Sequence, residues 1–417
     1  MSKVTVVLTS YNHEKHIKKA IDSVLNQTYK DFELHIWDDC STDSSWDIIQ
    51  EYKNKDNRIK NFRTEKNGRG GLFSKALKSD EIKSEYIALI HSDDMWEPTK
   101  LEKQVEFLDT HDDIGAVFTK VQPIDENDNY FADKSHFYYS VFDQENRSRF
   151  EWLRHFFYKG NCLCHPSVLI RKECYDTVGI YRKSFIQLGD FDMWIRLCMK
   201  YDIFILDDKL TKFRIRNNET NVSAGTIENM IREANESFYI FENYKNLTCN
   251  DLVKVFPESK KYIVNGRCLS KYILSMMALS KKARQQINLQ GINLLYEIIN
   301  NEKDSKVAKE LYDFDRTKLA ILSASFDNFN LKIKEQLLQK DKELDRVKEL
   351  LAQKDRDLFQ SKKQLEQKEQ ELVKTKEQLY KKNKEIELLK DELIIVCTSK
   401  SWKITRPLRK IKRRFVK

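Results

Sequence analysis

The stretch Tyr86-Ile-Ala-Leu-Ile-His-Ser-Asp-Asp-Met-Trp-Glu-Pro98 decides the fold. Tyr86 to Ile90 is an unbroken run of mostly bulky apolar residues, as expected of a parallel strand buried on both faces. Asp93 and Asp94 follow at once, and Pro98 stands where its fixed φ suits a first helical turn. In open α/β sheets, ligands bind beyond the carboxyl ends of the strands, so both carboxylates fall where a ligand is expected. Paired Asp side chains suit a hard divalent cation that also grips phosphate oxygens. From this stretch alone, the plainer reading stays open: two acids that cap the next helix.

The pattern repeats on either side. Val4 to Leu8 is a β-branched run that ends in Thr9-Ser-Tyr-Asn12. A helix is expected over about 14–26, with Ile17, Ile21, Val24 and Leu25 on one face. Phe32 to Trp37 is a second strand, ending in Asp38-Asp-Cys-Ser-Thr-Asp43, and Asp43 or a nearby hydroxyl can cap a helix over 45–52. Ile59 to Arg63 makes a weak third strand, and Asn67-Gly-Arg-Gly-Gly71 a flexible turn. After Pro98 come a helix through Leu108, a strand over Ala116 to Val121, and a polar, aromatic acceptor-side loop over 122–145. A strand over Ser167 to Ile170 follows Asn161-Cys-Leu-Cys-His-Pro166. Gly189-Asp-Phe-Asp-Met-Trp-Ile-Arg-Leu197 opens a helix, then come two short strands, Ile203 to Leu206 and Leu210 to Ile215. Alone, Asp190 reads as well as an N-cap, and Asp192 as a first-turn acid favoured by the helix dipole. Strand-helix alternation with short connections predicts a doubly wound, mostly parallel sheet. Thr9, Asp38, Asp39, Asp93 and Asp94 all recur at strand ends, as a site on the carboxyl edge requires.

At 417 residues the chain has room for two or three domains. We divide it into a catalytic domain over 1–225, a helical accessory region over 226–330, a coiled coil over 331–395 and a basic amphipathic tail over 396–417. The net charge is +9, and from Leu393 onward nine Lys or Arg stand with no Asp or Glu, so the rest is formally neutral. The basic surface is therefore the tail. The eight cysteines (Cys40, Cys162, Cys164, Cys174, Cys198, Cys249, Cys268, Cys397) show no CxxC spacing. Neither a zinc site nor a disulfide framework is expected, and a reducing compartment fits. The first strand at Val4 leaves no room for a signal peptide, and no apolar run reaches membrane-spanning length.

Leu337, Leu344, Leu351, Leu358, Leu365, Leu372, Leu379, Ile386 and Leu393 recur every seven residues, the repeat of a left-handed coiled coil. In one register the companion core column is Asp341, Lys348, Asp355, Lys362, Glu369, Lys376, Asn383 and Lys390; in the other it offers Val347 and Leu389 but otherwise mostly Lys, Ser and Thr. A weak or reversible homo-oligomer is therefore expected; a lone helix held by i,i+4 ion pairs is the alternative. In the tail, Trp402, Arg406, Arg409, Lys410, Arg413 and Arg414 mix bases with apolar anchors, a pattern suited to an anionic membrane surface rather than to nucleic acid.

Six motifs in order make residues 1–225 resemble the catalytic domain of the family 2 glycosyltransferases. They are Thr9-Ser-Tyr-Asn12, Asp38-Asp-x-Ser-Thr-Asp43, Ser92-Asp-Asp94, His165-Pro-Ser, Gly189-Asp-x-Asp-x-Trp-x-Arg196 and Phe213-Arg214. The resemblance implies a GT-A-type fold and an inverting transfer from a nucleotide-diphosphate sugar, UDP-linked by preference, with Mn2+ or Mg2+ as cofactor. It implies that Thr9 and Tyr11 line the nucleobase pocket, that Asp39 accepts the ring N–H of a uracil or thymine, and that Asp38 supports that turn. Asp93 takes the metal position of the family's Asp-x-Asp motif, with Asp94 beside it, and Asp190 matches the catalytic base. His165, Asp192, Trp194 and Arg214 are acceptor- or donor-side candidates. His91 replaces the motif's first acid, where a neutral imidazole can face the ribose or the metal or simply end the strand. Cys40 replaces the usual Gly of the Asp-Asp turn.

The rod and tail resemble extensions of some bacterial surface-polysaccharide glycosyltransferases, whose coiled coils end in Ser-x-Ser-Trp-x-Ile-Thr-x-Pro-Leu-Arg, matched over Ser399 to Arg409. That implies a cytoplasmic enzyme, peripheral at the inner face of the membrane, near a glycan or lipid-linked acceptor. Two rival readings are a catalytically degenerate nucleotide-binding scaffold, organised by the coiled coil, and a nucleotidyltransferase. The first is opposed by the joint presence of Asp39, Asp93 and Asp190. The second is opposed by the lack of a Gly-rich phosphate loop, for which Arg69 is a poor substitute.

Overall fold

The computed structural model describes residues 2–68, 71–216, 226–401 and 404. Arg69 and the tail residues Trp402, Arg406, Arg409, Lys410, Arg413 and Arg414 lie outside the described residues. Eight strands form one sheet: β1 (Val4–Ser10), β2 (Phe32–Asp38), β3 (Ile59–Arg63), β4 (Tyr86–His91), β5 (Met95–Trp96), β6 (Ile114–Ile124), β7 (Leu169–Arg171) and β8 (Asp202–Arg214). Their order is β3-β2-β1-β4-β7-β6-β8-β5. β3, β2, β1 and β4 run parallel. β7 is antiparallel to both its neighbours, β6 and β8 are parallel, and β5 is antiparallel to β8. The chain leaves β1 toward β2 and β3, then returns to place β4 on β1's other side. The strand order therefore reverses between β1 and β4, where a crevice opens at the carboxyl edge.

Eight helices accompany the sheet: α1 (Ile17–Leu25), α2 (Ser45–Lys55), α3 (Leu72–Leu77), α4 (Lys100–Thr110), α5 (Phe137–Val141), α6 (Arg149–Lys159), α7 (Lys172–Val178) and α8 (Gly189–Cys198). Strand side chains alternate between faces. Tyr86, Ala88 and Ile90 of β4 join one core with Ile21 and Val24 of α1 and Leu101 and Val105 of α4. Ile87 and Leu89 join the other, with Trp152 and Phe156 of α6 and Trp194 and Leu197 of α8. Residues beyond 226 complete that second core, through α9 (Ile227–Ile240), α10 (Cys249–Val255) and α11 (Ser270–Ala278). They are followed by α12 (Gln285–Asn300), α13 (Glu302–Tyr312) and α14 (Arg316–Ser325), and one compact unit extends to Asn328. A second unit holds α15 (Leu331–Thr398), a single helix of 68 residues with none buried. At 1.5 Å per residue it is about 100 Å long.

The α/β architecture followed by a helical region and a long terminal helix is as expected, with five corrections. β8 is one strand rather than two, because its pairing with β6 absorbs register shifts around Lys120 and keeps the ladder running. β5, absent from the sequence reading, is only two residues and is defined by its pairing with β8. α4 accordingly begins at Lys100 rather than Pro98. Ser167 closes a 3-10 turn, so β7 starts at Leu169. Finally, Cys249 and Cys268 form a disulfide, contrary to the expectation of none. They lie 19 residues apart, at the start of α10 and just before α11, so chain spacing does not announce a meeting made by tertiary packing.

Candidate active site

The carboxyl ends of β1, β2 and β4 meet at the crevice. Thr9 lies in register with both Trp37 and His91, and Ser10 with Asp38. Beyond β1, Tyr11 is 43% exposed, a flat ring available at the site's rim. Asn12 adopts a positive φ, and its side-chain oxygen accepts the Thr42 N–H at 2.8 Å. Asp38 is fully buried; its carboxylate accepts the Ser41 N–H at 2.9 Å and the Ser41 hydroxyl, with the Arg63 Nε at 3.4 Å. It holds the turn. Asp39 accepts the Thr64 hydroxyl at 3.1 Å, and the Gly68 N–H lies 3.0 Å from both its oxygens. Cys40 carries φ 62°, a left-handed conformation that costs glycine least. The resemblance's usual Gly at this turn is thereby explained.

At the end of β4 the two acids part. Asp94 is buried and accepts the backbone N–H of Arg214 at 2.9 Å. Burial, reinforced by the adjacent Asp93 charge, pushes its carboxyl up from the usual range. Asp93 keeps some exposure, with the Arg216 Nε at 3.8 Å and the His13 Nε2 at 4.0 Å. The Arg214 guanidinium is buried; it donates to the Asp93 carbonyl at 2.8 Å, to the Asp125 carbonyl and to the Asp128 carboxylate. It works as a clasp between β8, the end of β4 and the 125–128 turn.

His91 has both ring nitrogens engaged. Its Nδ1 lies 3.4 Å from the Thr9 hydroxyl and its Nε2 3.2 Å from Nδ1 of His165. The other His165 nitrogen lies 2.8 Å from the Tyr181 hydroxyl. Phe73 of α3 packs edge-on to both imidazoles. Burial lowers the pKa of both histidines, so neutral rings form this row. In this arrangement both His91 nitrogens are directed at side chains of the protein, Thr9 and His165.

α8 carries the second pair of acids. Asp190 is half-buried in its first turn; it accepts the Phe191 N–H at 2.7 Å and the Asn161 amide at 2.9 Å. Burial nevertheless pushes its carboxyl up to about 6. Asp192, two residues on and about 200° around the helix, points the other way. It is fully buried between Arg182 (3.1 Å), Arg196 (2.9 Å) and the Asn243 amide (2.9 Å). That places Asp192 in the core rather than toward an acceptor. Trp194 is also buried, edge-on to Phe118 and tilted against His165. Burial raises the Cys164 thiol, and its own segment links the two acid pairs' elements, since Asn161 donates to Asp190 and His165 meets His91.

The sequence reading missed the residues that aim α8. Glu236 of α9 is buried, and its carboxylate accepts the N–H groups of Ile186, Gln187 and Leu188 just before the helix. Asn243 reaches Asp192 from the same region. His13 was missed too; its Nδ1 lies 2.7 Å from the Ser92 hydroxyl. In sequence Glu236 is one acid among many on a helix; only its burial marks it.

Residues 5–176 match the family model described as Glycosyl transferase family 2. An uncharacterized glycosyltransferase of Methanocaldococcus jannaschii is 30% identical over 297 residues, which are 69% of this chain and 97% of that one. The chain therefore belongs to glycosyltransferase family 2, and is an enzyme of that transferase class. The UDP-Glc:alpha-D-GlcNAc-diphosphoundecaprenol beta-1,3-glucosyltransferase WfaP of Escherichia coli is 30% identical over 238 residues, 56% of this chain and 85% of its own. Among solved structures, S. aureus TarS 1-349 in complex with UDP aligns with a TM-score of 0.49 and 19% identity, over 81% of this chain and 92% of that one.

Proposed function

We propose that the chain is an inverting glycosyltransferase that moves a sugar from a nucleoside-diphosphate donor, a UDP-sugar by preference, to a hydroxyl of a bacterial surface glycan such as O-antigen or capsule. One observation carries the reading: Asp190 is a half-buried carboxylate held by the Asn161 amide and the Phe191 N–H, with its pKa pushed up by burial to about 6. A base near that value is ionised at neutral pH and still takes a proton readily as the hydroxyl attacks. Attack from the face opposite the leaving group inverts the anomeric carbon.

Thr9 and Tyr11 serve the nucleobase, with Asp39 accepting its ring N–H and Asp38 bracing the turn. The E. coli relative's name, with UDP-glucose as donor and a diphosphoundecaprenol-linked acceptor, supports a UDP-sugar and a lipid-linked acceptor here. Asp93 suits a divalent cation, since such ions bind one or two carboxylates and complete their shell with substrate phosphate and water. Among the described residues no group of three His, Cys, Asp or Glu could hold a metal alone, so Asp93 would share the ion with the donor. Bound there, Mn2+ or Mg2+ would neutralise charge gathering on the departing diphosphate. The α15 rod pairs as a coiled coil, and the basic tail rests on an anionic membrane surface at the inner face. Among the described residues no helix is long and apolar enough to cross a membrane.

Calorimetric titration with UDP, dTDP and GDP, with and without Mn2+, tests the donor site on the wild type and on Asp93→Ala. Binding of one nucleotide, strengthened by metal and weakened by the substitution, is expected. No binding of any of the three would favour the scaffold reading. Removal of 396–417 should release the enzyme from anionic vesicles, and unchanged co-sedimentation would refute the membrane role.

A further inference from the structure

α15 carries a second column beside its leucines. Three residues before each heptad Leu, from Lys334 to Lys390, the chain reads Lys, Asp, Lys, Asp, Lys, Glu, Lys, Asn, Lys. The column lies 60° around the helix from the leucines. Its other flank carries Leu338, Ala352, Phe359, Val373, Tyr380 and Ile394, interrupted by Asp345, Glu366 and Glu387. A strip that alternates Lys with Asp, Glu or Asn from heptad to heptad thus runs between the exposed leucines and a mostly apolar column.

Packing two such faces makes the alternation a register signal. In a parallel pair, each core position meets the equivalent position of its partner. With no shift, every charged layer would oppose Lys to Lys or Asp to Asp inside the seam. A shift of seven residues leaves Leu on Leu, because that column repeats every seven. It also sets every Lys of the overlap against Asp, Glu or Asn. Three mutually touching strands cannot satisfy the alternation, since it has two phases and two strands would share one. An antiparallel pair places the charged column against leucines and loses the Leu-on-Leu layers.

Resting on the reading of α15 as a self-associating coiled coil, we infer that two copies pair through parallel α15 rods shifted by one heptad, about 10 Å along the axis. Such a pair is heterologous: each rod uses the same face, but at a different height. Lys348 already has an acidic neighbour on its own helix, Asp345 at 3.1 Å. That pair is well exposed on both sides, so it competes weakly with a partner inside the seam.

The test mixes full-length chains of natural and 15N isotopic composition, couples Lys to carboxylates with a zero-length carbodiimide, and identifies links between chains by mass spectrometry. Links from Lys348 to Asp341 or Asp355, and from Lys362 to Asp355 or Glu369, are expected. Links joining only residues at equal heights overturn the shift, and so do links whose residue numbers sum to a constant, the mark of an antiparallel pair. Both leave self-association standing. Monomers by light scattering at the same concentration overturn the coiled coil as well. A variant with Asp341→Lys, Asp355→Lys and Glu369→Lys should self-associate about tenfold more weakly, since like charges then meet at each layer. A second, with Lys348→Glu, Lys362→Glu and Lys376→Glu, should do the same, and an equal mixture should recover pairing. Undiminished self-association of either variant alone overturns the proposal.

Discussion

After β4 and at the start of α8, the chain sets two acids close together, and in each pair one is sealed while the other keeps access to the crevice. Asp94 is 2% exposed and Asp192 0%, whereas Asp93 and Asp190 stay partly open. The means differ. Asp94 is held by one backbone N–H and an adjacent charge that opposes it, so its charged form is poorly supported. Asp192 is met by two guanidinium groups and an amide. The opened acids differ as well. Asp93 faces cationic or neutral nitrogens of Arg216 and His13, an environment for an anion that shares a cation. Among the described residues Asp190 makes no ion pair, and burial pushes it toward holding a proton. One carboxylate thus lies beside basic side chains and the other is pushed by burial toward holding a proton, a contrast that suits the transfer proposed above.

The comparison is broken most directly at Asp190. Asp190→Asn should lower kcat by about a thousandfold while donor affinity stays, because a base acts on the acceptor alone. In the wild type, kcat/KM should fall as pH drops below about 6, where the carboxyl takes up its proton. The same raised pKa predicts a stability effect. The buried carboxyl favours the folded state when protonated, and that contribution fades as pH rises through its folded value. Asn cannot ionise, so thermal melts should show the variant gaining on the wild type between about pH 4 and about pH 6, with little further change above. A gap that narrows with rising pH would contradict the desolvated carboxylate.

Asp192→Asn should act on the other side of the comparison. It strips a fully buried carboxylate from Arg182 and Arg196, for a loss of about 3 kcal/mol in denaturant unfolding. Activity per folded molecule should stay near that of the wild type. A severe loss of kcat with intact stability would move Asp192 from the core to the chemistry.

The smallest expected effect sharpens the picture. Glu236→Gln removes the anion that holds the three N–H groups before α8, so kcat should fall about tenfold with donor affinity kept. The Glu236 charge also raises the Asp190 pKa, so the acid limb of the pH profile should move to lower pH. A purely structural loss would lower the amplitude without moving that limb.

Much of this was legible in sequence, for reasons visible at particular residues. The runs at Val4–Leu8 and Tyr86–Ile90 are apolar at nearly every position, as strands buried on both faces are, while Phe32–Trp37 alternates, with Phe32, Leu34 and Ile36 on one face and Glu33 and His35 on the other. The acids that follow them therefore located the carboxyl edge. What was not legible depends on pairing across distance. β5 exists only because β8 passes beside Met95 and Trp96. The disulfide of Cys249 and Cys268, the Glu236 bracket and the row from His91 to Tyr181 each join segments whose spacing carries no signal. Asp192 shows the same limit, since nothing in Gly189-Asp-x-Asp says which carboxylate will meet the arginines.

The row of neutral imidazoles has a further consequence. One proton lies between His91 and His165, so the two rings cannot choose their tautomers independently. If Thr9 donates to His91, then His91 donates to His165 and His165 to Tyr181; if Tyr181 donates, every bond runs the other way. The row therefore has a direction, and only two directions are available to it. A ligand that claims the Thr9 hydroxyl selects one of them, and the selection reads out at Tyr181 with no side chain changing place. Nitrogen-15 shifts of the two rings, with and without nucleotide, would read it: matched tautomers that invert together are expected, and independent ones would break the row.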